Sequence, residues 1–233
     1  MIVFKCYASG SSGNLYTVSD GQTTVMIECG LPWRKVRDHL RFKTSEIAAV
    51  LLSHSHADHS KSTKEAAKAG MDIYASRETF KALKLSGHRY NEIADNQQFS
   101  IGTWTILPFK TIHDTEGSLG YYMQNKEGEA FLFIPDTAYV TNRFANVTMI
   151  AVECNHIGEL LSQNIQGGHI PAVVGKRVRR NHMSLQTVRN MILANDLSKC
   201  RAIYLLHLSD ANSDEQHMKR EIQEISGVPV YVA

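Results

Sequence analysis

The chain has 233 residues, 43% of them hydrophobic and 21% charged, with a net charge of +2 at pH 7. That length fits one large domain or two small ones, the balance describes a globular chain with a sizeable core rather than a disordered or fibrous one, and the charge is too small to argue for nucleic acid by itself. No apolar run approaches membrane-spanning length, Met1–Cys6 does not look like a leader, and the scattered Cys6, Cys29, Cys154 and Cys200 form no CxxC pair, so neither a thiolate zinc site nor a disulfide framework is expected and a reduced cytoplasmic setting is.

Ile2 to Tyr7 reads as a strand, residues 8–14 as a turn of small residues, and Leu15–Val18 and Thr24–Ile27 as two further strands joined at Ser19-Asp20-Gly21. Pro32 to Leu40 carries proline in its first turn and apolar Trp33, Val36 and Leu40 at helical spacing. Its Arg34, Lys35, Arg37 and Arg41 read as a solvated face, and His39 as surface. Ile47–Leu52 is a buried strand that empties into Ser53-His54-Ser55-His56-Ala57-Asp58-His59-Ser60. Three histidines and an aspartate within six residues are costly at a buried strand end unless a cation binds them. His54 and His56, two apart, lean the same way, while Asp58 and His59 follow a turn later. One pair can serve one metal and the other a neighbouring metal, the arrangement used for in-line displacement at phosphorus. Residues 62–69 form a helix that stops at Gly70.

Asp72–Ala75 is a short strand, and Ser76 caps a helix through Leu85. Strands follow at Phe99–Ile101, Trp104–Phe109, Ser118–Met123, Ala130–Ile134 and Val147–Glu153. His113 and Asp136 each come just past a strand, where a lone polar residue is ordinarily structural. Lys176-Arg177-Val178-Arg179-Arg180 is the most basic run and reads by itself as an exposed helix face. Ser184 caps a helix from Leu185 to Ala194, Arg201–Leu206 is a strand ending at His207, and a helix over residues 213–225 precedes a closing strand, Val228–Val232. His88 carries no signal of a site, His217 falls within a helix and reads as surface, and His169 after Gly167-Gly168 reads equally as a loop residue or a contact.

His54-Ser-His56-Ala-Asp58-His59 resembles the HxHxDH motif of the metallo-β-lactamase fold. Ser9-Gly-Ser-Ser-Gly-Asn14 resembles the opening of its YycJ/WalJ-like branch, which is associated with phosphodiester cleavage and DNA exonuclease activity. The matches run in order from Ser9 to His207. The resemblance implies an α/β fold, an αββα sandwich of two facing mixed sheets with helices outside, over a single domain spanning residues 1–233. It implies two divalent metal ions, zinc or manganese: His54, His56 and His113 on one, Asp58, His59 and His207 on the other, and Asp136 bridging. Glu28 stands where the family has a buttressing Asp, and Glu153-x-Asn-His156 is similar to a segment near the branch's active site, so Glu28, Glu153 and His156 are expected to support the ligands. Asn181-His182-Met183-Ser184 resembles Gly-His-Leu-Ser of the branch. Asp58 and His182 are the catalytic candidates, His182 protonating the leaving oxygen, with Arg179, Arg180, Asn181 and Ser184 as substrate contacts. The implied function is hydrolysis of phosphodiester bonds by a nuclease acting on DNA or RNA. A cyclic-nucleotide phosphodiesterase, then a thioester or lactam hydrolase, and last an inactive metal-binding module remain alternatives. Nucleic acid or a nucleotide is the expected partner, no membrane is, and self-association is left open.

Overall fold

The computed structural model describes residues 1–233. Contacts divide them into two compact units, residues 1–110 with 115–129 and residues 111–114 with 130–233.

The first unit begins with a six-stranded sheet in the order β1 (Val3–Ala8), β2 (Leu15–Ser19), β3 (Thr24–Ile27), β4 (Ile47–Leu51), β5 (Ile73–Ala75) and β6 (Tyr90–Glu92). The first two pairings are antiparallel hairpins, and from β3 onward the strands are parallel. Parallel strands covered on both faces read as continuous apolar runs, and the last three residues of β3 and of β4 are all buried. Under one face of this sheet Val36 of α1 (Trp33–His39), Ala66 of α3 (Thr63–Lys68) and Phe80 of α4 (Arg77–Leu83) pack with Met26, Val50 and Ile73. The capping expected of Ser76 is made, its hydroxyl accepting from Thr79 N. A meander of β7 (Phe99–Ile101), β8 (Trp104–Lys110) and β9 (Leu119–Gln124) completes this unit, and Trp104 Nε1 donates to Thr23 O while the Tyr121 hydroxyl donates to Leu52 O.

The second sheet has seven strands in the order β13-β12-β11-β10-β9-β8-β7. Those of the second unit are β10 (Ala130–Ile134), β11 (Val147–Glu153), β12 (Ala202–Leu206) and β13 (Val230–Val232), all parallel. Four helices accompany them: α5 (Gly158–Gln166), α6 (Ala172–Asn181), α7 (Leu185–Leu193) and α8 (Glu215–Ser226). Register pairs Ile134 with Val152 and Glu153 with Leu206, so the carboxyl ends of three neighbouring strands line up along one edge. Open parallel sheets gather chemistry at that edge.

Candidate metal centre

In the first unit the histidine-rich stretch leaves the central strand β4. Its second half is a single helical turn, α2 (Ala57–Ser60). His54 and His59 are buried, and His56 and Asp58 are half-buried. Ser53 Oγ holds His54 Nδ1 at 2.8 Å, which turns His54 Nε2 to within 3.1 Å of His56 Nδ1. His59 Nε2 lies 3.4 Å from Asp58 Oδ2. Glu28, buried and in the left-handed region at φ 65°, stands behind them with Oε1 3.4 Å from His59 Nδ1 and Oε2 accepting from Ser53 N at 3.4 Å. The longer acid thus reaches both the histidine-rich loop and the ring of its last histidine.

Two residues that sequence reading did not assign hold this loop in place. Asn14, at the end of the Ser-Gly turn, donates its backbone N–H to Asp58 O at 2.7 Å and its side-chain amide to the same oxygen at 3.1 Å, with Nδ2 also 3.2 Å from His59 Nε2. Its own Oδ1 accepts from Gly10 N and from the Tyr16 hydroxyl, both at 2.9 Å. Gly30 passes so near that a Cβ there would fall 1.7 Å from Asp58 O, so no other residue fits. The Ser-Gly turn is the signal that could have found Asn14, but its partner is 44 positions away. Cys29 beside them is buried, and burial pushes its thiol up to about 12, so it is an inert core residue.

In the second unit Asp136 follows β10, Glu153 ends β11 and His207 follows β12, the last at φ 55°. Asp136 Oδ2 lies 3.7 Å from His207 Nε2, 3.8 Å from His182 Nδ1 and 4.0 Å from His113 Nε2. His113 Nδ1–H donates to Asn181 O at 3.0 Å. Asn155, unassigned from sequence, donates to His207 O at 2.9 Å and lies 3.3 Å from its Nδ1. Both contacts fix a ring orientation, as partners of ligand histidines do.

Glu153 is fully buried and accepts three hydrogen bonds: from Thr137 N at 3.2 Å, Met183 N at 2.9 Å and His182 Nδ1 at 2.9 Å. Burial by itself would depress His182, but the Glu153 carboxylate and its hydrogen bond, with Asp136 and Asp114 adding, raise the imidazole to about 9. His156 is different. It is buried against the start of α7, accepting from Leu185 N, and desolvation followed by the charges of His182 and Arg179 pushes it down to about 4, so it is neutral. Asn181 is buried and donates to Asp114 Oδ2 at 2.6 Å, with its carbonyl on His113, and Ser184 caps α7. Arg179 and Arg180 lie on exposed positions of α6, Arg179 donating to Ser162 Oγ at 2.7 Å.

These two sets of ligand types can be set beside known proteins. A model described as beta-lactamase superfamily domain matches residues 23–208. The chain belongs to the beta-lactamase superfamily. It is similar to exodeoxyribonuclease WalJ of Streptococcus pneumoniae serotype 2 (27% identical, covering 90% of this chain and 82% of that protein) and to exodeoxyribonuclease YycJ of Bacillus anthracis (23%, 95% and 88%). The metallo-beta-lactamase fold protein YhfI from Bacillus subtilis matches all of this chain and 96% of its own, at a TM-score of 0.76 and 16% identity. That likeness shows the fold, two mixed sheets with helices around them. The protein is a metal-dependent hydrolase, and its fold family implies divalent ions. The residues fit such ions: tetrahedral bonds of ~2.0–2.1 Å set ligand atoms about 3.3 Å apart, and the His54–His56, Asp58–His59 and Asp136–His207 separations are 3.1, 3.4 and 3.7 Å. No helix is long and apolar enough to cross a membrane.

Proposed function

We propose that this chain is a dinuclear-metal phosphodiesterase that cuts DNA or RNA strands, a nuclease of the YycJ/WalJ type acting as one catalytic domain. The observation that carries this reading is the His182–Glu153 pair at 2.9 Å beside Asp136. A hydrolase releasing a sugar alkoxide needs a proton donor, and here a buried carboxylate aims an imidazolium. The names of the two curated relatives support the substrate.

The ligand sets follow the family resemblance: His54, His56 and His113 for one ion, Asp58, His59 and His207 for the other, Asp136 shared. Histidine-rich mixed ligation suits zinc, with manganese the other candidate. Bound ions would acidify a water as nucleophile and stabilise charge developing on the phosphoryl oxygens. The chain's own residues do the rest. Glu153 takes the Nδ1–H of His182, so the proton for transfer sits on Nε2 and passes to the departing oxygen as the P–O bond breaks. Asn14, Glu28 and Asn155 hold ligand rings in orientation, and Asn181 does so for His113. Arg179 and Arg180 are available for flanking phosphates. His156, kept neutral by burial, supports the wall on which Ser184 starts α7.

The test is hydrolysis across single- and double-stranded DNA, RNA, 3′,5′-cyclic mononucleotides and a thioester, with zinc and with manganese, using Asp58→Ala as blank. The proposal expects metal-dependent cleavage of polymers that the blank lacks. Cleavage of cyclic nucleotides or the thioester alone would overturn it.

A further inference from the structure

Residues 34–46 carry five cations against two anions, in a chain whose net charge is only +2. The metal loop does not use them. At the end of α1 the chain makes two consecutive left-handed residues, Arg41 at φ 50° and Phe42 at φ 59°. A bulky residue rarely adopts that conformation. It is closed by Phe42 N donating to Arg37 O at 2.8 Å and Lys43 N donating to Leu40 O at 3.0 Å. The outcome is an aromatic ring 67% exposed, with the Arg37 guanidinium 5.7 Å from its centroid. A lone exposed phenylalanine is ordinary. This one stands between two residues that line a groove of about 800 Å³.

The floor of that groove is one face of the β1–β2 hairpin. Lys5 and Tyr7 alternate onto it from β1, and Lys5 sits in register with Thr17. Its wall includes His39, Arg41 and Lys43 together with the acids Asp38 and Glu46, and the His39 ring lies 5.6 Å from that of Tyr7. Lys43 is also paired with Glu46 at 2.8 Å, which leaves Lys5 and Arg41 as the stronger anion contacts. Lys5, Arg41 and Lys43 outnumber Asp38 and Glu46 in the lining, and a net positive groove with aromatic rings along it is the recognition chemistry of single strands: charge tracks the backbone and rings take bases.

We propose that this groove holds the single-stranded part of a nucleic-acid substrate, one base stacked on the open face of Phe42 and phosphates running past Lys5 and Arg41. The inference rests on the nuclease reading and deepens it, because the groove starts at Ile47, the first residue of β4, whereas the metal loop follows its last. Five residues of strand span about 17 Å, or roughly five stacked nucleotides at ~3.4 Å each. A mononucleotide cannot occupy both places. A strand can.

The experiment compares the parent chain with Phe42→Ala, Phe42→Tyr and a Lys5→Gln, Arg41→Gln pair. It measures anisotropy of a labelled fifteen-nucleotide oligothymidylate in the Asp58→Ala background, and hydrolysis of that strand and of bis(4-nitrophenyl) phosphate with Asp58 restored. Phe42→Ala should bind the strand about tenfold more weakly, with Phe42→Tyr restoring it and the aryl diester rate unchanged. The glutamine pair should flatten the log–log salt slope by about 1.4, and a trinucleotide should be indifferent to every substitution. If the parent binds and cuts the strand and Phe42→Ala does so equally, the groove proposal falls and the nuclease reading stands. If the parent hydrolyses only the aryl diester and does not bind the strand, both fall.

Discussion

Glu153 acts through the groups it holds. It accepts from the backbone of residues on two different loops and from His182, so it ties Thr137, Met183 and the imidazole to the end of β11. If His182 delivers the leaving-group proton, His182→Ala should cost ~10²–10⁴-fold on a natural diester and far less on one that leaves as nitrophenolate. Equal losses on the two would remove the acid role. Glu153→Gln should show the same dependence on the leaving group in weaker form, because the amide still orients the ring without stabilising its charge. On the other unit, Asn14→Ala removes the side-chain donor to Asp58 O and the contact with His59. Losing such a supporting residue typically costs about 10–100-fold in metal affinity, to be read by competition with a fluorescent chelator. Unchanged affinity would mean that the backbone contacts of Gly30 and Asn14 suffice.

At the scale of elements, the stabilising contributions are local and measurable. Ser76→Ala loses the cap of α4 and should cost about 1 kcal/mol in urea unfolding. The β2–β3 turn is held through Asp20, which accepts from Gln22 N, Thr23 N and Thr103 Oγ1. Burial pushes this carboxyl up, but those hydrogen bonds outweigh it and hold it below its usual range. A depressed folded value means that the contribution is present above the unfolded value and disappears as pH falls through the folded one. Asp20→Asn should therefore be less stable than the parent at pH 6, with the difference closing below about pH 4. A gap that persisted into acid would show that the turn does not depend on the charge.

The same scale explains what was legible in the sequence. The strands β3, β4, β10 and β11 announce themselves as apolar runs because both faces are covered, and α7 by its serine cap and period. Tyr90-Asn91-Glu92 carries no alternation to read, so β6 exists only through its pairing with β5. The turn α2 is hidden inside the ligand motif, since four residues are too few for a helical period. The ligand candidates divide likewise. His54, His56, Asp58 and His59 cluster along the chain, whereas His113, Asp136 and His207 are single residues after strands and gain meaning only from the family resemblance. Asn14 with Asp58, Asn155 with His207 and Glu153 with His182 are pairings 29 to 52 positions apart. No local pattern encodes them.

At the scale of the whole molecule, the parallel strands of each unit bring the loops that carry the proposed ligands to their carboxyl ends. The charge that could engage a polymer is concentrated in two exposed segments, residues 34–46 and α6. If strands are the substrate, binding should weaken steeply with salt, by about 0.7 in the log–log slope for each phosphate neutralised, and a flat dependence would favour a small nucleotide. The most direct test of the central claim is to strip the chain with EDTA and titrate it with manganese or zinc while following cleavage of end-labelled single-stranded DNA. The account predicts no cleavage without metal, a rise that saturates at two equivalents per chain, and none at any loading in Asp58→Ala. Cleavage that survives EDTA, or that Asp58→Ala retains, would contradict it.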